Sequence, residues 1–180
     1  MRKYDIQKLL LSGENQSIEF KEAKNSFPKD GMKTICSFAN TNNGLLILGV
    51  SENTKSKDFY ISGVNDSDKV LDELYSLLNN PNKINRNVIN EESVEVTNIK
   101  GKEIIIIPVN KIDYKDKPIY LNNNIASTYF RQGTGDFRCS QEQINAMLRD
   151  SAKESFDSTI VQDFSILDLD RETINRYREK

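Results

Sequence analysis

Ile6, Leu9 and Leu10 recur at helical spacing ahead of Ser12-Gly13, which predicts a short opening helix. Ile18 and Phe20 then alternate with Ser17, Glu19 and Lys21, the pattern of a strand with one buried face. Pro28 stands where a helix would begin. Met32, Ile35, Phe38 and Ala39 mark an apolar stripe that runs into Asn40-Thr41-Asn42-Asn43-Gly44. A left-handed residue at Asn43 or Gly44 is expected to end that helix. Leu45 to Val50 is apolar on both faces, as an internal strand covered on each side would be. The carboxyl end of such a strand, here Val50 to Asn53, is where open α/β sheets place ligands.

Further along, the pattern predicts a strand over 59–62, a helix over 67–79 and a polar loop rich in Asn and Lys. A hairpin follows, with arms 93–100 and 103–109 about Lys100-Gly101-Lys102. Pro108 puts the far end of the second arm at or near a sheet edge. Short strands near 118–121 and 128–131 and a helix over 141–149 complete the series. Interleaved strands and helices define an α/β fold, a mixed sheet layered with helices. From Ser151 the period is lost, although Phe156, Ile160, Val161, Phe164, Ile166, Leu167 and Leu169 remain apolar. Asp170 is a good N-cap for a last helix over 171–180. The expected organisation is one domain over 1–150, then an acidic tail and linker helix over 151–180 that lead to a further module. The apolar tail is expected to make the protein a homo-oligomer by crossing to a second subunit.

Composition narrows the chemistry. The 180 residues contain no histidine and only two cysteines. That removes Ser-His and Cys-His nucleophiles, His-ligated metals and any disulfide framework. Cys36 falls on the apolar stripe and reads as a small core residue. The apolar runs are too short to span a bilayer, and the N-terminus lacks a signal core, so a cytoplasmic protein with no membrane partner is expected. Residues 1–149 carry a net charge of +1 and residues 150–180 a net charge of −3. A near-neutral body leaves nucleic-acid binding to a local patch rather than to the whole surface.

Four segments, taken in order, resemble the Schlafen AlbA-like DNA-binding domain of bacterial transcriptional regulators. They are GENQSIEFKEA at 13–23, KTICSFANTNNGLLILGVSEN at 33–53, YISGV at 60–64 and STYFRQGTGDFRCSQEQINAML at 127–148. The family carries two glycines after its Ala-Asn-Thr, and here the first is Asn43. The resemblance implies a nucleic-acid-binding module with DNA or RNA as its partner. It also implies, from the Schlafen proteins that cut RNA, an acidic pair that joins a third carboxylate around Mg or Mn. Glu14 and Glu19 stand at the spacing of that pair, with Ser51 at the third position and Glu52 one step away. That alternative makes Glu14, Glu19 and Glu52 catalytic, with Glu14 and Glu19 as metal ligands. The plainer reading of Glu19 and Lys21 is a solvated strand face, with Glu19 paired to a lysine.

For phosphate contact the strongest stretch is Arg131 to Arg138. Gly133 and Gly135 free the backbone amides, Arg131 and Arg138 can grip phosphate oxygens, and Tyr129, Phe130 and Phe137 can stack on bases. Tyr129 and Phe130 alternate, so at least one belongs to the core. Lys21, Lys24, Lys29 and Lys33 form the densest basic stretch, and these side chains are expected to converge with Arg131 or Arg138 on one face. Asn40, Thr41 and Gly44 either line a nucleotide cleft or only cap a helix and turn the chain. A third reading is an ATP-binding or oligomerising regulatory module.

Overall fold

A computed structural model describes residues 4–152. The expected tail helix over 171–180, and the apolar tail assigned to subunit crossing, lie outside the described residues.

The chain opens with α1 (Ile6–Ser12), capped by the Asp5 carboxylate on the Lys8 N–H and closed by Gly13 at φ 67°. Strand β1 (Ile18–Lys21) leads to α2 (Gly31–Thr41), then β2 (Gly44–Leu48), β3 (Val50–Glu52) and β4 (Phe59–Ile61). Helix α3 (Ser67–Leu78) precedes the hairpin arms β5 (Glu95–Ile99) and β6 (Lys102–Val109). A second hairpin, β7 (Tyr129–Gln132) and β8 (Gly135–Arg138), is followed by α4 (Gln141–Ala152). The α/β class read from the sequence is the observed one.

Four strands form the main sheet in the order β1-β2-β6-β5, with β1 parallel to β2 and the other pairs antiparallel. Both faces of its two inner strands are buried, which explains their unbroken apolar sequences. Leu46, Leu48, Ile105 and Ile107 point to one side, into a core shared with Ile35, Phe38, Val70 and Leu74 of α2 and α3. Ile47, Ile104 and Ile106 point to the other side, with Phe20, Val50 and Ile6. Pro108 pairs only with Leu45 of β2, because β5 reaches no further than Ile106. Its missing N–H therefore faces a place with no ladder partner, as expected of a proline at a sheet edge. Lys100 and Gly101 both have positive φ, 52° and 81°, as a two-residue turn between right-twisted strands requires.

Four expectations need correction. The apolar run 45–50 is not one strand. Gly49 sits at φ 89°, with the Glu103 carbonyl oxygen and a Val64 methyl each 3.1 Å from where a Cβ would lie, and the chain breaks there. Val50 to Glu52 thus leaves the main sheet to pair with β4 in a separate ribbon. Residues 118–121 form no strand and make only isolated bridges, Leu121 to Ile84 and Tyr120 to Thr128. Pro28 stands three residues ahead of α2, its carbonyl accepting the Gly31 N–H. Finally, neither Asn43 nor Gly44 is left-handed, and α2 ends on Asn42 in an extended conformation at φ −145°. Glycine is required at 44 for space instead, since a Cβ there would lie 2.4 Å from ring carbons of the buried Phe38.

Candidate nucleic-acid interface

Sheet pairing sets the geometry of the second hairpin. Its strands join through Gly133-Thr134, with Gly133 at φ 59°, so Arg131 and Asp136 lie directly opposite each other. The Arg131 side chain is fully buried. One arm of its guanidinium donates to Asp136 Oδ1 at 3.0 Å, the other to Glu19 Oε2 at 2.7 Å and to the carbonyls of Asn15 and Ile18. Its planar face lies over the Phe38 ring, 5.0 Å from the centroid. Burial opposes the charge, but the paired carboxylates outweigh it and hold the guanidinium above its ordinary pKa. The Thr34 hydroxyl donates to Asp136 Oδ2 at 2.8 Å, and the Ser37 hydroxyl donates to Asp136 Oδ1.

The same joint takes up the 40–44 corner. Asn40 is buried, and its amide donates to the carbonyls of Ile119 and Tyr129 while its oxygen accepts the Ile119 N–H. Thr41 Oγ1 accepts the Arg131 N–H at 2.9 Å. The hairpin, the corner and the Glu19-bearing strand therefore do gather in one place. They meet as a packed polar joint rather than across an open groove. Arg131, Asn40 and Thr41 fasten the hairpin to α2, and Gly44 lies buried beneath Phe38.

Glu19 is buried, not part of a solvated face, and Lys21 Nζ holds its other oxygen at 2.8 Å while reaching Asp30 at 2.6 Å. Burial works against the Lys21 charge, yet hydrogen bonds to Asp30 and Glu19 raise its pKa. Both Glu19 oxygens are thus committed to cations. Glu14 Oε1 accepts the Phe20 N–H, Ser51 donates to Glu22, and Glu52 pairs with Lys57 out on the β3–β4 ribbon. Among the described residues no three His, Cys, Asp or Glu side chains are grouped to hold a metal ion. The donor set does not fit the divalent cation that the nuclease alternative needs.

Glu14 titrates above the ordinary carboxylate value, chiefly through burial and secondly through the Glu19 charge. The folded protein then keeps a proton that the unfolded chain has released, so stability falls as pH rises from the unfolded pKa through the raised folded one. Glu14→Gln, which keeps the oxygen that accepts from Phe20, is expected to match the wild type in melting temperature at about pH 4 and to exceed it at about pH 7. Thermal melts at the two pH values check this.

Outward from the joint, cations remain. Lys33 Nζ lies 5.3 Å from the Tyr129 ring centroid and the Arg138 guanidinium carbon 5.8 Å from it, with Arg138 Nε also donating to the Tyr129 hydroxyl. Neither cation has an ion pair among the described residues. Phe137 is 51% exposed beside Phe130, and Gly133 is open to solvent at the tip. Gly135 packs against the Phe137 ring. Lys24 is tied to Glu22, while Lys29 is exposed and has no ion pair among the described residues. Of the predicted basic residues, Lys33 and Arg138 converge on Tyr129, and Lys29 lines a cavity with Lys33 and Tyr129.

Tyr129 and Lys33 also border a cavity of about 910 Å³ between the start of α2 and α3. Lys69 and Lys83 join its rim, and neither stood out in the sequence. Lys69, Asp72, Glu73 and Ser76 follow an i, i+3, i+4, i+7 spacing, which marks one face of α3 and is a readable signal. Asp136 also went unread, although a glycine turn placing it across from Arg131 was the clue. Cys36 and Cys139 are buried, and burial pushes the Cys36 thiol up to about 12, in keeping with a core residue.

A four-stranded mixed sheet with two helices on one face and a hairpin clasped to them defines a compact α/β domain with a cationic, aromatic corner. The chain belongs to the Schlafen AlbA_2 family, whose model matches residues 14–140. A second family model, a domain of unknown function, matches residues 145–180. The structure is similar to the N-terminal domain of a Nitrosomonas europaea protein described as related to the ATP-dependent DNA helicase RecG. That similarity has a TM-score of 0.52 and 29% identity, over 68% of this chain and 82% of that one. It also resembles a Corynebacterium diphtheriae protein, with a TM-score of 0.47 and 20% identity, covering 74% of this chain and 24% of that one. No curated protein matches the sequence. No helix among the described residues is long and apolar enough to cross a membrane.

Proposed function

We propose that the protein binds nucleic acid through its phosphate backbone and serves as the DNA-contacting module of a transcriptional regulator. The observation that carries this reading is the Tyr129 ring bracketed by Lys33 and Arg138, two cations with no acidic partner among the described residues. Phosphate oxygens fit the cations, and the exposed Phe137 ring fits a base. Membership of the Schlafen AlbA_2 family and likeness to a helicase-related domain support a role with nucleic acid. The glycine turn contributes through Gly133, whose backbone is open at the hairpin tip.

This reading departs from the sequence expectation in one respect. Arg131 fastens the hairpin and Arg138 meets the ligand. The patch is small, so binding should be modest and salt-dependent, each phosphate neutralised lowering affinity as salt rises. The test is fluorescence anisotropy on duplex DNA, single-stranded DNA and hairpin RNA at two salt concentrations. Lys33→Glu with Arg138→Glu is expected to weaken binding about tenfold or more, and to flatten the salt dependence by about one unit of slope for each phosphate no longer neutralised. A double variant that binds as the wild type does, or wild-type binding indifferent to salt, defeats the proposal.

A further inference from the structure

The cavity beside this patch has a composition that backbone contact alone does not use. Its floor is apolar, built from Phe27, Met32, Leu77 and Leu121. Its rim carries Lys29, Lys33, Lys69 and Lys83, none of which has an ion pair among the described residues. Three carboxylates also border it, but two are occupied: Asp30 by Lys21, and Glu73 by the Phe27 N–H at 2.8 Å. Asp72 and Glu73 keep their charges but are outnumbered by four ammonium groups, so the rim favours an anion. At about 910 Å³ the space is within the range of small-molecule sites. Tyr129 stands on its border, which makes the cavity continuous with the backbone contact.

An apolar floor inside a lysine rim suits a flat, weakly polar body with negative groups at its edge. A nucleotide has that chemistry: the base is buried and the phosphates lie among the ammoniums. We infer that this cavity accepts one unstacked nucleotide of a strand whose neighbouring phosphates lie on Lys33 and Arg138. The inference rests on the backbone reading above and adds a preference for strands that offer an unpaired base. Unstacking is least costly where a base has no partner, as in a bulge or a single strand.

The probes are a perfect DNA duplex, the same duplex with one bulged 2-aminopurine, and that bulge made abasic. The full chain is expected to bind the bulged duplex about tenfold more tightly than the perfect one, with a change in 2-aminopurine emission, and to lose that advantage on the abasic bulge. Ser76→Trp, at an exposed position of α3 on the cavity wall, is expected to abolish the preference and keep the affinity for perfect duplex. Lys83→Glu, in the loop beyond α3, is expected to reduce the preference by a second route. Equal affinity for all three probes overturns the cavity assignment and leaves the backbone reading standing. No binding to any probe removes both. Binding of free AMP, seen as a melting shift without any preference for the bulge, also overturns the strand-borne assignment.

Discussion

Arg131→Met is expected to cost about 3–5 kcal/mol of stability, because it strands Glu19 and Asp136 in a buried joint with no cation between them. For a domain of this size that corresponds to a fall of roughly 6–20 °C in melting temperature. Methionine fills much of the volume over Phe38, so most of the loss is charge rather than cavity. Adding Glu19→Gln and Asp136→Asn should restore part of the stability, since the orphaned charges are then gone. Arg131→Lys should restore little. One ammonium cannot serve Glu19, Asp136 and the carbonyls of Asn15 and Ile18 at once, whereas the guanidinium fork does. Urea and thermal melts of these variants beside the wild type decide the matter. A well-folded Arg131→Met protein with an unchanged melting temperature and no nucleic-acid binding would make Arg131 a ligand contact and not a fastening.

The strands and helices were legible wherever burial imposes a period. The four isoleucines at 104–107 announce a strand sandwiched between layers, and Ile105 and Ile107 do face α2 and α3 while Ile104 and Ile106 face the side of α1. The break at Gly49 was not legible, because an apolar run reads the same whether or not a glycine within it bends the chain. The 118–121 segment misled for a related reason. Its extended residues are held by the Asn40 and Asn85 side chains, not by a neighbouring strand. At the candidate site, sequence drew attention to this hairpin and helix but could not assign roles within them. Arg131 and Arg138 look alike in the sequence. Strand alternation cannot separate them either, and what does is the carboxylate across the turn, which draws one inward and leaves the other in solvent. Glu19 was hidden in the same way, since its burial depends on a cation that lies 112 residues further along the chain. Lys69 and Lys83 come from separate segments, α3 and the loop beyond it, and only the fold brings them to one rim.

Asn40→Ala is the second change expected to be severe, at about 3 kcal/mol or more. The amide of Asn40 satisfies the Ile119 carbonyl at 2.8 Å, the Tyr129 carbonyl at 3.0 Å and the Ile119 N–H at 2.9 Å. Alanine strips the Ile119 N–H and the Tyr129 carbonyl of their side-chain partner, each worth about 1–3 kcal/mol, and leaves the Ile119 carbonyl only the weak Cys36 thiol as donor. Asn40→Asp sharpens the argument because it is nearly isosteric. It keeps the oxygen that accepts from Ile119 but replaces the donor with a second oxygen, aimed at two carbonyls. Near pH 7 it should be at least as damaging as alanine. As pH falls through the raised pKa of the new carboxyl, the protonated acid regains one donor, and the gap to the wild type should narrow; the alanine variant has no such recovery. Because Asn40 also fixes the backbone of Tyr129, both variants should loosen the ring between Lys33 and Arg138 and weaken nucleic-acid binding in proportion. Melts at two pH values, with anisotropy on the same samples, measure both effects. An Asp variant whose loss is constant across pH, or an Ala variant within about 0.5 kcal/mol of the wild type, would mean that hydrophobic packing alone fixes this corner and that the asparagine is dispensable to it.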